Sequence, residues 1–226
     1  MRFVSIVSLI ILIAPSAFCY PDNAASNVER QMREWACTPE DLDTASDRLV
    51  ELRDADQASR VSGEPDPNED TLRRIEVAKI YAEGCLQRAE DFRHASLVFQ
   101  HGNSPEHYYQ AWFFASRAVS LGDEHAKWLV PKAIDRYFLN TGYKQLFGTN
   151  LVTPFLWGGQ GEENYLCLWP VEESLSDEVR SQYGVQPLNE IREQYDDADN
   201  SALNPQTHEC PVNPETPPKG LFPGIW

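Results

Sequence analysis

The sequence predicts a mainly α fold: antiparallel helical hairpins, then an irregular segment with room for short strands, and a proline-rich tail. Three observations carry that prediction. Apolar residues recur at helical spacing in several stretches between residues 38 and 140. Those stretches open on a capping residue followed by Pro or acids, and they close on Gly. The joins between them are short, which sets neighbouring helices antiparallel.

Thr38-Pro39-Glu40-Asp41 reads as a capped helix start, and Leu42, Ala45, Leu49 and Leu52 share one face of that helix. "VSGEPDPNED", residues 61–70, reads as a loop of turn formers. A second helix is expected from Thr71 to about Glu83, stopped by Gly84, and a third over Ala89–Phe99, ending near Gly102. Ser104-Pro105-Glu106 caps a fourth that carries Tyr108, Ala111, Trp112, Ala115, Ala118 and Val119 inward and ends at Gly122. Asp123 caps a fifth, with Ala126, Leu129, Ala133 and Tyr137 on one face. Pro131 lies inside it, so a kink or break is expected near Val130. Asn140-Thr141-Gly142 stops that helix. Beyond Asn150 one or two short strands or an irregular wrap are expected, then a short helix from Ser176 to Gly184 and another from Pro187 to about Tyr195.

The ends set the compartment. Arg2, the apolar run Phe3–Ile13 and the small residues Ala17 and Cys19 form a secretory signal over residues 1–19. Lipid attachment at Cys19 is disfavoured, because the bulky Phe18 precedes it. Residues 20–195 form the helical domain. Residues 196–226 form an extended tail tied by Cys210, with Phe222 and Trp226 available to dock. No later stretch is apolar enough to span a bilayer, so a secreted or periplasmic protein without stable membrane insertion is expected. The chain holds 35 acids against 19 bases, a net charge of −16. Such a field repels phosphate backbones and argues against nucleic-acid binding. Cys37, Cys85, Cys167 and Cys210 remain after the signal. Four cysteines allow three pairings, and Cys37–Cys85 with Cys167–Cys210 joins neighbouring segments. Without a Cys-x-x-Cys pair, zinc is not expected.

Two resemblances enter here. "AWFFASRAVSLGDEHAKWL", within Ala95–Leu129, resembles the helix pairs of Sel1-like and tetratricopeptide repeats and implies Sel1/TPR-like packing of the hairpins, although the period does not continue along the chain. In order, "ELRDADQASR", "DFRHASLVFQHG", "AIDRYFLNTGYKQLFGTN" and "DEVRSQYGVQPLNEI" resemble an uncharacterised, mostly bacterial domain family. Its pattern is Asp-Gln-x-x-Arg, Gln-His, Asp-Arg, then Gln-x-(Tyr/Phe)-Gly-Thr-Gln. The matching residues are Asp56, Gln57 and Arg60; Gln100 and His101; Asp135 and Arg136; and Gln145, Phe147, Gly148 and Thr149. Asn150 stands where the pattern has Gln. The resemblance spans Leu49 to Ile191 and implies an architecture and a residue set, not a reaction.

Asp56 falls on the apolar stripe of the first helix, with Arg60 one turn on. A core-facing carboxylate needs a partner, and a buried Asp–Arg pair between helices competes with a ligand-binding or basic role. His101 beside Gly102 suits a helix C-terminus, or acid–base chemistry. His94 lies two turns before His101, a long span for one metal ion, and neither metal nor cofactor is expected. His107 and His125 read as surface residues. Asp135 and Arg136 lie on different sides of one helix. One is expected to reach Asp56 or Arg60, the other the turn made by Gln145 to Thr149. That arrangement is either a polar clasp or the wall of a pocket lined by Tyr137, Phe147 and Trp128. No nucleophile, metalloprotease, phosphate-loop or dinucleotide motif is present, and Glu162-Glu163 and Glu172-Glu173 read as solvated turns. The expected role is a binding or scaffolding module for an unspecified protein or small molecule. The alternative is a hydrolase-like enzyme using His101, Asp56 and Asp135.

Overall fold

The computed structural model describes residues 37–63, 65–152, 167–194, 209–210 and 217–220. The expected signal segment, Cys19, Glu162-Glu163, His208, Phe222 and Trp226 lie outside them. The chain is mainly α. Helix α1 (Pro39–Val61) begins where the Thr38 hydroxyl accepts from Asp41 N–H at 3.2 Å and the Asp41 carboxylate accepts from Thr38 N–H at 3.2 Å. Helix α2 (Pro67–Ala82) starts earlier than the spacing predicts. Asp66 accepts from Asn68 N–H at 2.8 Å and Pro67 takes the first helical position, so the second half of the expected loop is a capped first turn.

Helices α3 (Ala89–Gln100) and α4 (Pro105–Ser120) form a tight hairpin. Ala95, Ser96, Ala111, Ala115 and Ala118 have no exposed surface, and the Ser96 hydroxyl donates to Ala111 O at 2.9 Å. Small side chains let the two helices approach closely enough for that bond. Asp123 caps only a 3₁₀ turn, Glu124–Ala126, and α5 (Leu129–Asn140) starts afresh after Trp128. The break therefore precedes Val130. Pro131 sits in the first turn of α5, where its missing N–H costs nothing.

The core joins α1 to α5 through Leu49, Leu52, Val77, Val98, Phe114 and Ala133. Phe114 packs its ring against Tyr81, Phe92 and Phe99. Cys37–Cys85 ties the entry of α1 to the exit of α2, and Cys167–Cys210 ties the two-residue strand β2 (Cys167–Leu168) to the tail. β2 pairs antiparallel with β1 (Leu151–Val152), in register Leu151 with Leu168. Helices α6 (Asp177–Gln182) and α7 (Leu188–Gln194) follow. The tail is pinned beyond Cys210 as well. Lys219 donates its N–H to Gly142 O at 2.9 Å and accepts from Lys144 N–H at 2.8 Å. Among the described residues, no helix is long and apolar enough to cross a membrane.

His94 on α3 is buried, and desolvation holds its imidazole down at about 4, helped by the charges of Arg93 and Arg53. In the unfolded chain it titrates near the ordinary 6.5. The unfolded state therefore binds the extra proton between those values. Stability from this residue is complete above pH 6.5 and is lost as pH falls toward 4. Urea unfolding across pH 4–7 is expected to show a flatter acid limb for His94→Phe than for the parent; equal slopes would refute this.

Candidate functional site: a polar centre at the end of α3

Asp56 lies on the inward face of α1 and is 1% exposed. Its partner is His101, the residue that ends α3. Asp56 Oδ2 lies 2.7 Å from His101 Nδ1, while Gln57 Nε2 donates to the same oxygen at 2.9 Å. The anticipated Arg60 contact is the weaker one, at 3.4 Å. A carboxylate on Nδ1 fixes the ring and its tautomer. The His101 side chain keeps 23% of its surface exposed, and Nε2 has no hydrogen bond among the described residues. That is the geometry of an oriented acid–base or hydrogen-bonding imidazole.

Cationic groups surround this pair. Asp70 is held between Arg60 and Arg73, each at 2.5 Å. Burial pushes the Asp70 carboxyl up, but the two guanidiniums outweigh it and hold it below the ordinary carboxylate range. Arg74, 5% exposed, donates to Thr71 Oγ1 at 3.1 Å and to His101 O at 3.4 Å. Arg136, partly buried, donates to Gln100 O and, at 3.2 Å, to Asn150 Oδ1. Tyr108 donates its hydroxyl to Gly102 O at 2.7 Å. The three consecutive carbonyls of residues 100–102 are thus each capped by a side chain from a different helix, which answers the unsatisfied end of α3.

Capping does not balance the charge. Arg74 and Arg136 make no salt bridge with a carboxylate among the described residues. Burial pulls both of their pKa values down and the nearby Arg60 charge pulls the same way, while the Asp70 and Asp56 carboxylates pull Arg74 part of the way back up. Beside them the Gln100 side chain is 4% exposed, with neither its amide nitrogen nor its oxygen hydrogen-bonded among the described residues.

Comparison with family models, with curated proteins and with solved structures finds no match. The chemistry of the site has to be read from its own geometry.

Asp135 stands apart from this centre. It has no exposed surface, and its carboxylate accepts from the backbone N–H groups of Leu146, Phe147 and Thr149 and from the Thr149 hydroxyl, all within 3.0 Å. A carboxylate so fully engaged does not reach substrate, which takes Asp135 out of the catalytic set. Gln145, also without exposed surface, donates to Asn150 O and Trp169 O and accepts from Asn150 N–H. Arg180 closes the other side. It is 1% exposed and donates to the carbonyls of Leu146, Phe147, Glu172 and Leu175. Residues 146 and 147 are therefore held twice, by their N–H groups from α5 and by their carbonyls from α6. Gly148, at φ 84°, completes the turn in a left-handed conformation that other residues rarely adopt, while the space beside Ile191 and Val171 would itself admit a Cβ.

Of the two residues expected to divide between centre and turn, Asp135 meets the turn. Arg136 touches neither Asp56 nor Arg60 and goes to Gln100 O and Asn150. Asn150 is long enough for its place: Oδ1 takes Arg136 and Nδ2 donates to Thr149 Oγ1 at 3.2 Å. The expected pocket of Tyr137, Phe147 and Trp128 does not assemble. Phe147 is buried against Tyr183 and Tyr137 packs on Tyr109, while Trp128 lines a separate trough. Neither His94 nor any other group of three His, Cys, Asp or Glu forms a metal-binding set among the described residues. Sequence reasoning passes over Asp70, Arg74 and Arg180, because a single charged residue in a helix carries no sign of burial; it places Tyr108 inward but not its bond to Gly102 O.

Proposed function

We propose that the protein is a secreted helical binding module whose ligand presents a phosphate or carboxylate to the centre at the end of α3. One observation carries this reading: among the described residues, the guanidiniums of Arg60, Arg73, Arg74 and Arg136 share a partly buried centre with two carboxylates, Asp56 and Asp70. Among the described residues those four guanidiniums outnumber the carboxylates by two, in a chain that is acidic overall. Buried charge of that kind is costly unless compensated, and guanidinium geometry matches an oxyanion. The oriented His101 and the unpaired Gln100 amide add donors. Binding is favoured over hydrolysis because no hydroxyl or thiol is hydrogen-bonded to His101 Nε2 among the described residues. The two disulfides accord with export.

Thermal melts in inorganic phosphate, matched in ionic strength with sodium chloride, test the reading. Phosphate at one hundred times its Kd is expected to add about 2.7 kcal/mol. Arg136→Gln and Arg74→Gln are expected to abolish that gain; each also uncaps a carbonyl at the end of α3, so the readout is the difference between phosphate and chloride and not the melting temperature itself. Equal melting in phosphate and chloride would sink the proposal.

A further inference from the structure

A trough of about 340 Å³ opens beside the first turn of α5, and no residue of the centre at the end of α3 lines it. Its walls come from separate parts of the chain: Trp128 and Lys132 from the start of α5, Leu151 from β1, Tyr183 from the end of α6 and Ile191 from α7. Those walls are held in place. Thr149, also on the lining, donates its hydroxyl to Asp135, and Tyr183 packs edge-on against Phe147 with ring centroids 5.5 Å apart. Val185 donates its N–H to Arg180 O at 3.1 Å. The turn that Asp135 and Arg180 hold from two sides therefore helps to fix the shape of this concavity. Two of its side chains lack the cover or the counter-ion such groups ordinarily find. Trp128 is 45% exposed. The Lys132 ammonium sits 5.0 Å from the Trp128 ring centroid and makes no salt bridge with a carboxylate among the described residues. Burial and then the Arg136 charge pull the Lys132 pKa down from its ordinary value, and an anion beside it would oppose both.

We propose that this trough is a second binding site, for a small arylalkanoate whose aromatic body lies among Trp128, Tyr183, Leu151 and Ile191 and whose carboxylate pairs with Lys132. The volume sets the size. Small-molecule pockets run from about 300 to 1,000 Å³, so this one suits a ligand of roughly one or two rings and not a folded partner. The lining sets the chemistry. Trp128 and Tyr183 offer aromatic surface to a planar ring, and Leu151 and Ile191 offer side chains without hydrogen-bonding groups. Gln186 and Gln194 contribute neutral amides from exposed positions, so Lys132 is the charged side chain among the described lining residues. One cation beside an apolar wall matches an apolar body that ends in one carboxylate. A phosphate monoester, at about −1.5 to −2 near neutral pH, would bring charge that Lys132 alone does not balance. The trough is separate from the anion centre, so either site can hold without the other.

Titration calorimetry on the full disulfide-bonded chain with hydrocinnamate, hydrocinnamyl alcohol and cyclohexylpropanoate tests charge and ring separately. Hydrocinnamate is expected to bind about fivefold tighter than its alcohol, as a partly exposed ion pair allows. It is expected to bind about fivefold tighter than cyclohexylpropanoate, as an aromatic contact allows. Lys132→Gln is expected to remove the first preference and leave the alcohol's affinity unchanged. Trp128→Leu is expected to remove the second. Both side chains lie at the surface, so both variants are expected to melt like the parent. Equal affinities for hydrocinnamate and its alcohol overturn the carboxylate, and equal affinities for the two acids overturn the aromatic class. Preferences that survive both substitutions put the ligand elsewhere and overturn the trough, as does absence of hydrocinnamate binding. Arg74→Gln is expected to leave hydrocinnamate binding unchanged. Loss of binding in that variant would put the acid at the end of α3, which overturns the trough and supports the anion centre.

Discussion

Asp135→Ala is expected to cost about 3–5 kcal/mol of unfolding free energy at pH 7, the largest effect of any single substitution considered. The reason is the number of donors it strands. Three backbone N–H groups and the Thr149 hydroxyl converge on that carboxylate in a place without solvent. Each unsatisfied buried donor costs about 1–3 kcal/mol, and local relaxation recovers part of the sum. Asp135→Asn keeps the acceptor oxygen but turns an amide toward donors, so an intermediate loss is expected. Arg180→Met should also destabilise, by releasing the carbonyls of the same two residues, Leu146 and Phe147. The double variant should then lose less than the sum, because one collapsed turn cannot be lost twice. Urea unfolding of the four proteins measures this. A loss below about 1 kcal/mol for Asp135→Ala would show that the turn stands without its carboxylate.

The second large effect is the loss of Cys37–Cys85. The bond closes a separation of 48 residues that contains all of α1 and α2. On the chain-entropy model, a loop of that size stabilises by about 4 kcal/mol. The Cys37→Ala, Cys85→Ala double variant should unfold at a correspondingly lower urea concentration. Its phosphate affinity should fall as well, because Asp56 and Arg60 come from α1 and Arg74 from α2, while His101 and Arg136 do not. Unchanged affinity in a destabilised variant would show that the two helices hold the centre without the covalent tie.

Local chemistry explains what the sequence made legible. Helix starts with proline behind a capping residue, at Thr38 and Ser104, are written in adjacent residues. The burial of Asp56 follows from its place on an apolar stripe. The start of α2 was hidden because Asp66 and Pro67 read equally well as turn formers and as a cap. The contact of Asp56 with His101 joins residues 45 apart, which periodicity does not encode. Arg180 was the least legible. Its burial is dictated by the carbonyls of an irregular segment from another part of the chain, and "DEVRSQYG" alone looks like a solvated helix.

The bridges made by residues 143–145 carry a consequence for the order of assembly. Tyr143 pairs in parallel with Lys219, and Gln145 with Val171. The hairpins of α1 to α5 need only neighbours in sequence and can form quickly. The 143–150 turn waits for chain synthesised much later, so it closes through long loops. A chain cut ahead of Cys210 would keep its helices while lacking the tail's hold on this turn, and Asn150, the residue that sets Arg136, would lose part of its frame. The proposed anion centre would then be completed as a separate, later event than helical collapse, timed by the arrival of the residues from 209 onward.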